Sequence, residues 1–496
     1  MESLLVRSAS DQSILDDLPD HIVHNILDFV TIEDLARFST LSRRFRRLCS
    51  SVPNLNVSAK GVETNLVKRF NFLNFIDRFM IHRDRFKLQR FSLSWSINQA
   101  FDWVFSEEYR IDSWLHQVAR CDVEKLDLRI FFRESNISSY ALPACLNSCR
   151  FLKCLRLTLK NRILKLPTTG FYFLQDLRLC FVRIEHEEFG EWLSSCKRLQ
   201  KLTLSNLDGI KNINITSTSI THLNIYIWHD IIVSSVNVSA CRLQYMRFYW
   251  FSTQSKQVNI TAPNLLHLTL EGDLVDGYRL GSFDSLQRAL IFAQTSPRLL
   301  RKSEDSTDSV YLNEILFSVS HAEELYIGIA LLDLLITDDY WPVLFLYNVK
   351  RLHLHVTPDL EDYCFPIVAS LLDRLPSLES LTMRSYFQPA APSSDTSTLP
   401  MELYECRSQD FVDKLKSVEI ELYEGLKGLE FIKYLLTTMK ALEKLTIYYS
   451  PEELPQRSNV TSEIEAFKKA SSTASVYLLP RVTLLLPDEF RCARLN

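Results

Sequence analysis

At 496 residues the chain is longer than one compact core usually accommodates, so several domains or an elongated repeat array are expected. Apolar residues make up 46% and charged residues 23%, as in a folded protein, and a net charge of −4 argues against general attraction to nucleic acid or an anionic membrane. With only 10 glycines the chain is poorly suited to glycine-rich phosphate loops, and no apolar run approaches the roughly 18 residues of a membrane-spanning helix.

The opening Met1–Arg7 lacks the basic start and apolar stretch of a secretory signal. Asn-x-Ser/Thr triplets at Asn56, Asn136, Asn214, Asn237, Asn259 and Asn459 are therefore read as incidental, not as glycan acceptors. The 11 cysteines form no Cys-x-x-Cys pair and suit reduced thiols in a cytoplasmic or nuclear setting. Cys149, Cys196 and Cys241 each precede a repeated apolar position and are expected to be small buried side chains.

In chain order, residues 13–57 predict three short helices. Pro19 suits a first helical turn, where its missing N–H costs nothing. Ile22, Ile26, Leu27 and Val30 follow as one apolar stripe. Thr31 with Asp34 makes a capping-box-like start for a second helix carrying Leu35 and Phe38. Leu41, Phe45 and Leu48 predict the stripe of a third, whose other face holds Arg43, Arg44, Arg46 and Arg47, read as solvated. So short a unit cannot bury all these groups alone, so some should face another protein or the rest of the chain.

The runs Leu18–Val30 (LPDHIVHNILDFV), Asp34–Arg46 (DLARFSTLSRRFR) and Val52–Leu55 (VPNL) resemble an F-box. Plant members of that family commonly place Trp where this sequence has Phe45, which keeps an aromatic anchor. The resemblance implies docking on the Skp-type adaptor of a cullin–RING ubiquitin ligase. It makes Leu18, Pro19, Ile22, Ile26, Leu27, Val30 and Leu41 the candidate adaptor contacts.

Beyond the helices one pattern, apolar-x-x-apolar-x-apolar, recurs from Leu88 through Leu442, with copies from Leu152 to Leu286 starting 21 to 25 residues apart and outer copies 27 to 37 apart. This is the period of leucine-rich repeats: each unit offers a strand with one buried face, and stacked units share a continuous core. Residues such as Val182, Leu207, Trp228 and Phe251 stand where regular repeats carry Asn or Cys, so the buried turns must be satisfied otherwise. Two interruptions, at residues 301–309 and 389–400, read as polar surface loops. From about Leu403 the sequence resembles the FBD region of plant F-box proteins, in Leu415–Ile420 (LKSVEI), Lys433–Leu436 (KYLL) and Met439–Ile447 (MKALEKLTI). Physically these are two strand units around one amphipathic helix. The expected fold class is α/β: a three-helix F-box followed by an irregular repeat solenoid, its curved sheet backed by helices and loops. The expected division is a tail at 1–12, F-box at 13–57, repeats at 58–402, FBD region at 403–480 and a tail at 481–496.

No catalytic constellation stands out. Nucleotide-loop and nucleophile-elbow motifs are absent, and His21/His24 and His353/His355 lack supporting ligands at metal spacing, so neither cofactor nor metal is expected. The outward strand residues Arg156, Arg178, Arg247, Tyr326 and His353 are candidate contacts for a target protein. Trp95, Trp228, Trp250 and Phe251, close to the repeat strands, are either anchors for a partner or, the preferred reading, fillers of the irregular turns. Together with the F-box resemblance this implies a non-enzymatic substrate-recognition subunit of a Skp–cullin–F-box ligase, with no nucleic-acid or membrane partner. A small-molecule-dependent sensor on the same repeats, or a ligase-independent scaffold, are the alternatives.

Overall fold

The computed structural model describes residues 18–481 except 84–85, 98–105, 134–138, 161, 168, 186–188, 229–230, 252–256, 274–276, 295–306, 329–330, 332–344, 356–367, 369–370, 385–412, 422–426, 450–463, 465 and 468–469. The proposed loop at 389–400 and both tails lie outside the described residues, as does all of the loop at 301–309 except Thr307–Ser309. Two compact units meet at the Ile220–Thr221 bond.

The first unit opens with α1 (Asp20–Leu27), α2 (Ile32–Ser39) and α3 (Arg43–Ser50). The expected Thr31 cap is present, its hydroxyl accepting from the Asp34 N–H, and Ser42 caps α3 in the same way. Val23, Leu27, Ile32, Leu35, Phe45 and Leu48 form the buried core of this module. Leu41, expected on the third helix, instead lies in the turn before it and is exposed.

Then come β1 (Asn54–Ser58), α4 (Leu66–His82), β2 (Arg90–Ile97), α5 (Glu107–Arg120), β3 (Lys125–Phe132), β4 (Ser139–Ala141), β5 (Cys154–Lys160), β6 (Ile163–Lys165), β7 (Asp176–Cys180), α6 (Phe189–Ser195), β8 (Lys201–Ser205) and β9 (Asn212–Ser217). Strands β1, β2, β3, β5, β7 and β8 pair in that order, all parallel. Their register stacks Leu126, Leu155, Leu177 and Leu202 in one ladder and Leu128, Leu157, Leu179 and Leu204 in another, all essentially solvent-free. β1 starts within the stretch assigned to the F-box, because Leu55 and Val57 continue the buried ladder through Phe91 and Leu93.

The second unit contains β10 (His222–Ile227), β11 (Ser235–Ala240), β12 (Tyr245–Trp250), β13 (Gln257–Thr261), β14 (His267–Asp273), β15 (Gly277–Leu280), β16 (Arg288–Gln294), α7 (Thr307–Ser318), β17 (Glu324–Gly328), β18 (Arg351–His355), β19 (Ser380–Arg384), β20 (Ser417–Glu421), α8 (Lys427–Thr438), β21 (Lys444–Tyr449) and β22 (Ser475–Pro480). Its main sheet runs β10, β12, β14 and then β16 through β22, again parallel. Thr307–Ser309, expected in a loop, begin α7. The terminal region has the two expected strands around α8, and β22 adds a third.

Repeat length decides what lies behind the main strands. The longer repeats have room for α4, α5, α7 and α8, and α5 turns Ile111, Trp114, Leu115 and Val118 inward at helical spacing. The shortest repeats return instead through strands, of which β11, β13 and β15 form a second parallel sheet. Helices and loops alone were expected there. That sheet explains two Asn-x-Ser/Thr triplets: Asn237 and Asn259 are register partners, and the Asn259 amide donates to the Asn237 side-chain oxygen at 2.5 Å. Val182 and Leu207 fill their irregular turns and are buried, whereas Trp228, expected to fill a turn, is 40% exposed and stacks on the half-buried Phe251 at 5.1 Å. Trp95 and Trp250 are fully buried. Cys149 and Cys196 are buried as expected, and burial pushes the Cys196 thiol up to about 11. Cys241 is exposed, because it falls in the turn after β11.

Candidate functional site

Two surfaces carry chemistry that the core does not use. The first is on the helical module. Helix α1 faces inward through Val23 and Leu27, at 1% and 2% exposure. Ile22 and Ile26, one helical turn apart, stand on a different face of α1 at 36% and 43%, and Phe29, in the turn that follows the helix, is 92% exposed. Leu41 is 64% exposed, and Leu18 and Val30 are half-buried.

This splits the stripe read from sequence. Leu27, a candidate adaptor contact, is a core residue of the module and presents no surface to a partner, because the α1 face that packs on α3 runs through Val23 and Leu27. Phe29 was missed, because it lies in the turn after α1, where helical spacing no longer says which way a side chain faces.

The Leu18–Pro19 start is held in place by α3. Arg44 donates to the Leu18 carbonyl and, at 2.8 Å, to the Asp20 carboxylate, which Arg47 also approaches. The Arg44 hydrogen bond holds the Asp20 carboxyl below its ordinary value. The His24 ring reaches the Leu48 carbonyl at 3.3 Å and the Ser51 hydroxyl at 3.1 Å. Of the four arginines read as solvated, Arg44 thus anchors the segment that precedes α1, and Arg47 pairs with the first residue of the helix.

The second surface is the main-sheet face opposite the buried leucines in the first unit. One row across the strands runs Arg90, Lys125, Cys154, Asp176 and Lys201. The next runs Ser92, Asp127, Arg156, Arg178 and Thr203. Arg156 and Arg178 are therefore direct register partners, as their shared pattern position implied. Asp127 is buried, with Arg90 and Arg129 each at 3.5 Å, and Asp176 pairs with Arg178 at 3.3 Å. An open hollow of about 610 Å³ lies at one end of this face, lined by Lys60, Glu63, Ser94, Ser96 and Phe131 among others.

The corresponding face of the second unit is different. Tyr326 and His353 are register partners whose rings stack at 4.1 Å. Both contact Glu324: the Tyr326 hydroxyl donates to Oε1 at 3.0 Å, and His353 Nε2 lies 3.1 Å from the same oxygen. Arg288 and Arg351 donate to Oε2 at 2.8 and 3.2 Å. Burial works against the charge of Glu324, but hydrogen bonds from His353 and Arg351 outweigh it and bring the carboxyl down to about 2. Tyr326, expected to point out toward a target, is only 4% exposed and belongs to this network. Arg247 lies between Asn224 and Thr269 and is half-buried. His355 is half-buried, edge-on to Phe292. Among the described residues no group of three or more His, Cys, Asp or Glu is arranged to hold a metal ion, and no helix is long and apolar enough to cross a membrane.

A three-helix module with an exposed apolar stripe, continued by stacked parallel strands with leucine ladders, defines an F-box/leucine-rich-repeat protein. The F-box domain profile matches residues 15–56, and the profile "FBD-associated F-box protein At5g56370, LRR repeats" matches residues 111–281. Among similar Arabidopsis thaliana proteins, F-box/LRR-repeat protein At4g14096 is 25% identical, the match covering 94% of this chain and 95% of that protein. F-box/FBD/LRR-repeat protein At1g13570 is 24% identical over 94% of this chain and 98% of its own length. Over its F-box, its repeats and most of its length the chain is similar to plant F-box/FBD/LRR-repeat proteins.

Proposed function

We propose that this chain is the substrate-recognition subunit of a Skp–cullin–F-box ubiquitin ligase. The observation that carries this reading is the apolar stripe Ile22, Ile26 and Phe29, joined by Leu41, left in solvent on a module whose own core is complete. Such a stripe fits a partner helix or groove, and burying it would contribute to an interface of about 1,200–2,000 Å². Leu18, Pro19 and Val30 border it. The repeats then hold a target protein near chemistry supplied by the rest of the ligase, so the chain acts by proximity and has no catalytic residues of its own. In this reading residues 13–57 are the docking domain, 58–402 the target-binding array and 403–480 its FBD closure.

The test is capture of the full chain by purified Skp-type adaptor. Ile22→Asp/Ile26→Asp should reduce binding by at least about 100-fold, since each charge would be forced into an apolar contact. Both positions are exposed, so the variant should keep the wild-type melting transition. Undiminished binding by the folded variant sinks the assignment of this face. Failure of the wild type to bind leaves the ligase-independent scaffold. The small-molecule reading has one observation in its favour, the hollow beside Lys60 and Ser94. Target binding unchanged by exhaustive dialysis of the chain would count against it.

A further inference from the structure

We propose that the first unit's strand face recognises an extended, carboxylate-rich segment of the target, an inference that rests on the target-binding role of the repeats. Three register rows carry the argument. They bring together Arg90, Lys125, Arg129, Arg156, Arg178 and Lys201, against only Asp127 and Asp176. The face thus holds four positive charges in excess on a chain whose net charge is −4.

These cations are not consumed by folding. Arg90 and Arg129 keep 49% and 47% of their side-chain surface, Arg178 keeps 37%, and Lys125 and Lys201 are exposed. Among the described residues no carboxylate lies within ion-pair distance of Lys125, Arg156 or Lys201. The surrounding outward positions Ser92, Ser94 and Thr158 are small and partly open, which lets another chain approach the sheet.

The arrangement selects the kind of ligand. The cations do not converge on one point, as a single phosphate would require. They are spread from β2 to β8 over four strand spacings, about 19 Å at roughly 4.8 Å each. An extended segment of about six residues covers that span. Arginine forks at Arg156 and Arg178 suit bidentate carboxylate contacts. Asp127 and Asp176, set within the same field, would face a continuous phosphate backbone unfavourably, so a polypeptide fits better than nucleic acid.

The experiment measures fluorescence anisotropy of a labelled octaglutamate peptide with the full chain bound to its adaptor. Binding should occur, weaken as salt rises, and be absent for the matching octaglutamine. Lys125→Glu/Arg156→Glu/Arg178→Glu should weaken it by at least about tenfold, and the milder Lys125→Gln/Arg156→Gln by a smaller factor. Adaptor capture by the same preparations should be unchanged, which separates this inference from the F-box assignment. No binding by the wild type, equal binding by the folded charge-reversed chain, or tighter binding of a singly phosphorylated peptide or a single-stranded oligonucleotide would overturn it.

Discussion

The middle row of the first unit's strand face runs through Ser92, Asp127, Arg156, Arg178 and Thr203, while the same row of the second unit includes Arg247, Thr269, Leu290, Tyr326 and His353. Behind both rows stand equally dry apolar ladders, of leucines in the first unit and of mixed residues such as Met246, Leu268, Ala289 and Leu325 in the second. The first row is cationic and partly open. In the second, Thr269, Leu290 and Tyr326 are buried, and Glu324 gathers two arginines, a tyrosine and a histidine around one carboxylate. The comparison teaches that the repeat pattern specifies one side of each strand and leaves the other side to separate constraints. In the first unit that second side is suited to a partner, and in the second it contributes to stability.

The sharpest way to break this comparison is to truncate one residue from each row. Tyr326→Ala should cost about 3–5 kcal/mol, as for a buried aromatic, whereas Arg178→Ala should stay within about 0.5 kcal/mol. Chemical denaturation combined with hydrogen exchange over β16–β18 reads both. Similar costs for the two variants would erase the distinction.

Next in size is Glu324→Gln, which leaves Arg288, Arg351 and His353 without their carboxylate and should destabilise the second unit by about 1–3 kcal/mol at neutral pH. The folded-state pKa of Glu324 is depressed to about 2, so its contribution is fully present above 4.5 and lost as pH falls from there toward 2. The penalty of the variant should therefore shrink over that window in acid denaturation.

Two further groups sharpen the pH behaviour because they act in opposite directions. Burial pushes His355 down to about 4, against a backbone hydrogen bond involving Arg384 that raises it. The folded chain then binds fewer protons than the unfolded chain between 4 and 6.5, and stability falls as pH falls through that range. Burial pushes Glu271, set between Tyr249 and Phe292, up to about 7. Its folded form retains a proton that the unfolded chain releases, so stability falls as pH rises from 4.5 to 7. Because solvent screens the half-buried Glu271, Glu271→Gln should stabilise the second unit by about 1–2 kcal/mol above pH 7, less than the full shift converts to, and have no effect below 4.5, read from melting curves across pH. The smallest effect is expected at Arg156→Ser, within about 0.5 kcal/mol in the absence of a partner, and a larger loss would make Arg156 structural.

Much of the architecture was legible in the sequence. The inner positions of the strands follow from periodicity, because a position repeated across stacked units is buried by its own copies whatever else surrounds it. The Thr31 cap and the terminal strand–helix–strand unit were readable for a related reason, since each depends on neighbours close in the chain. Only the tertiary structure decided that Leu27 turns in while Ile26 turns out, that Arg44 ties down the Leu18 carbonyl, that short repeats return through a second sheet, and that Tyr326 is enclosed while Arg156 is not. Each of these depends on which distant element packs against a side chain, and spacing along one chain carries no record of that.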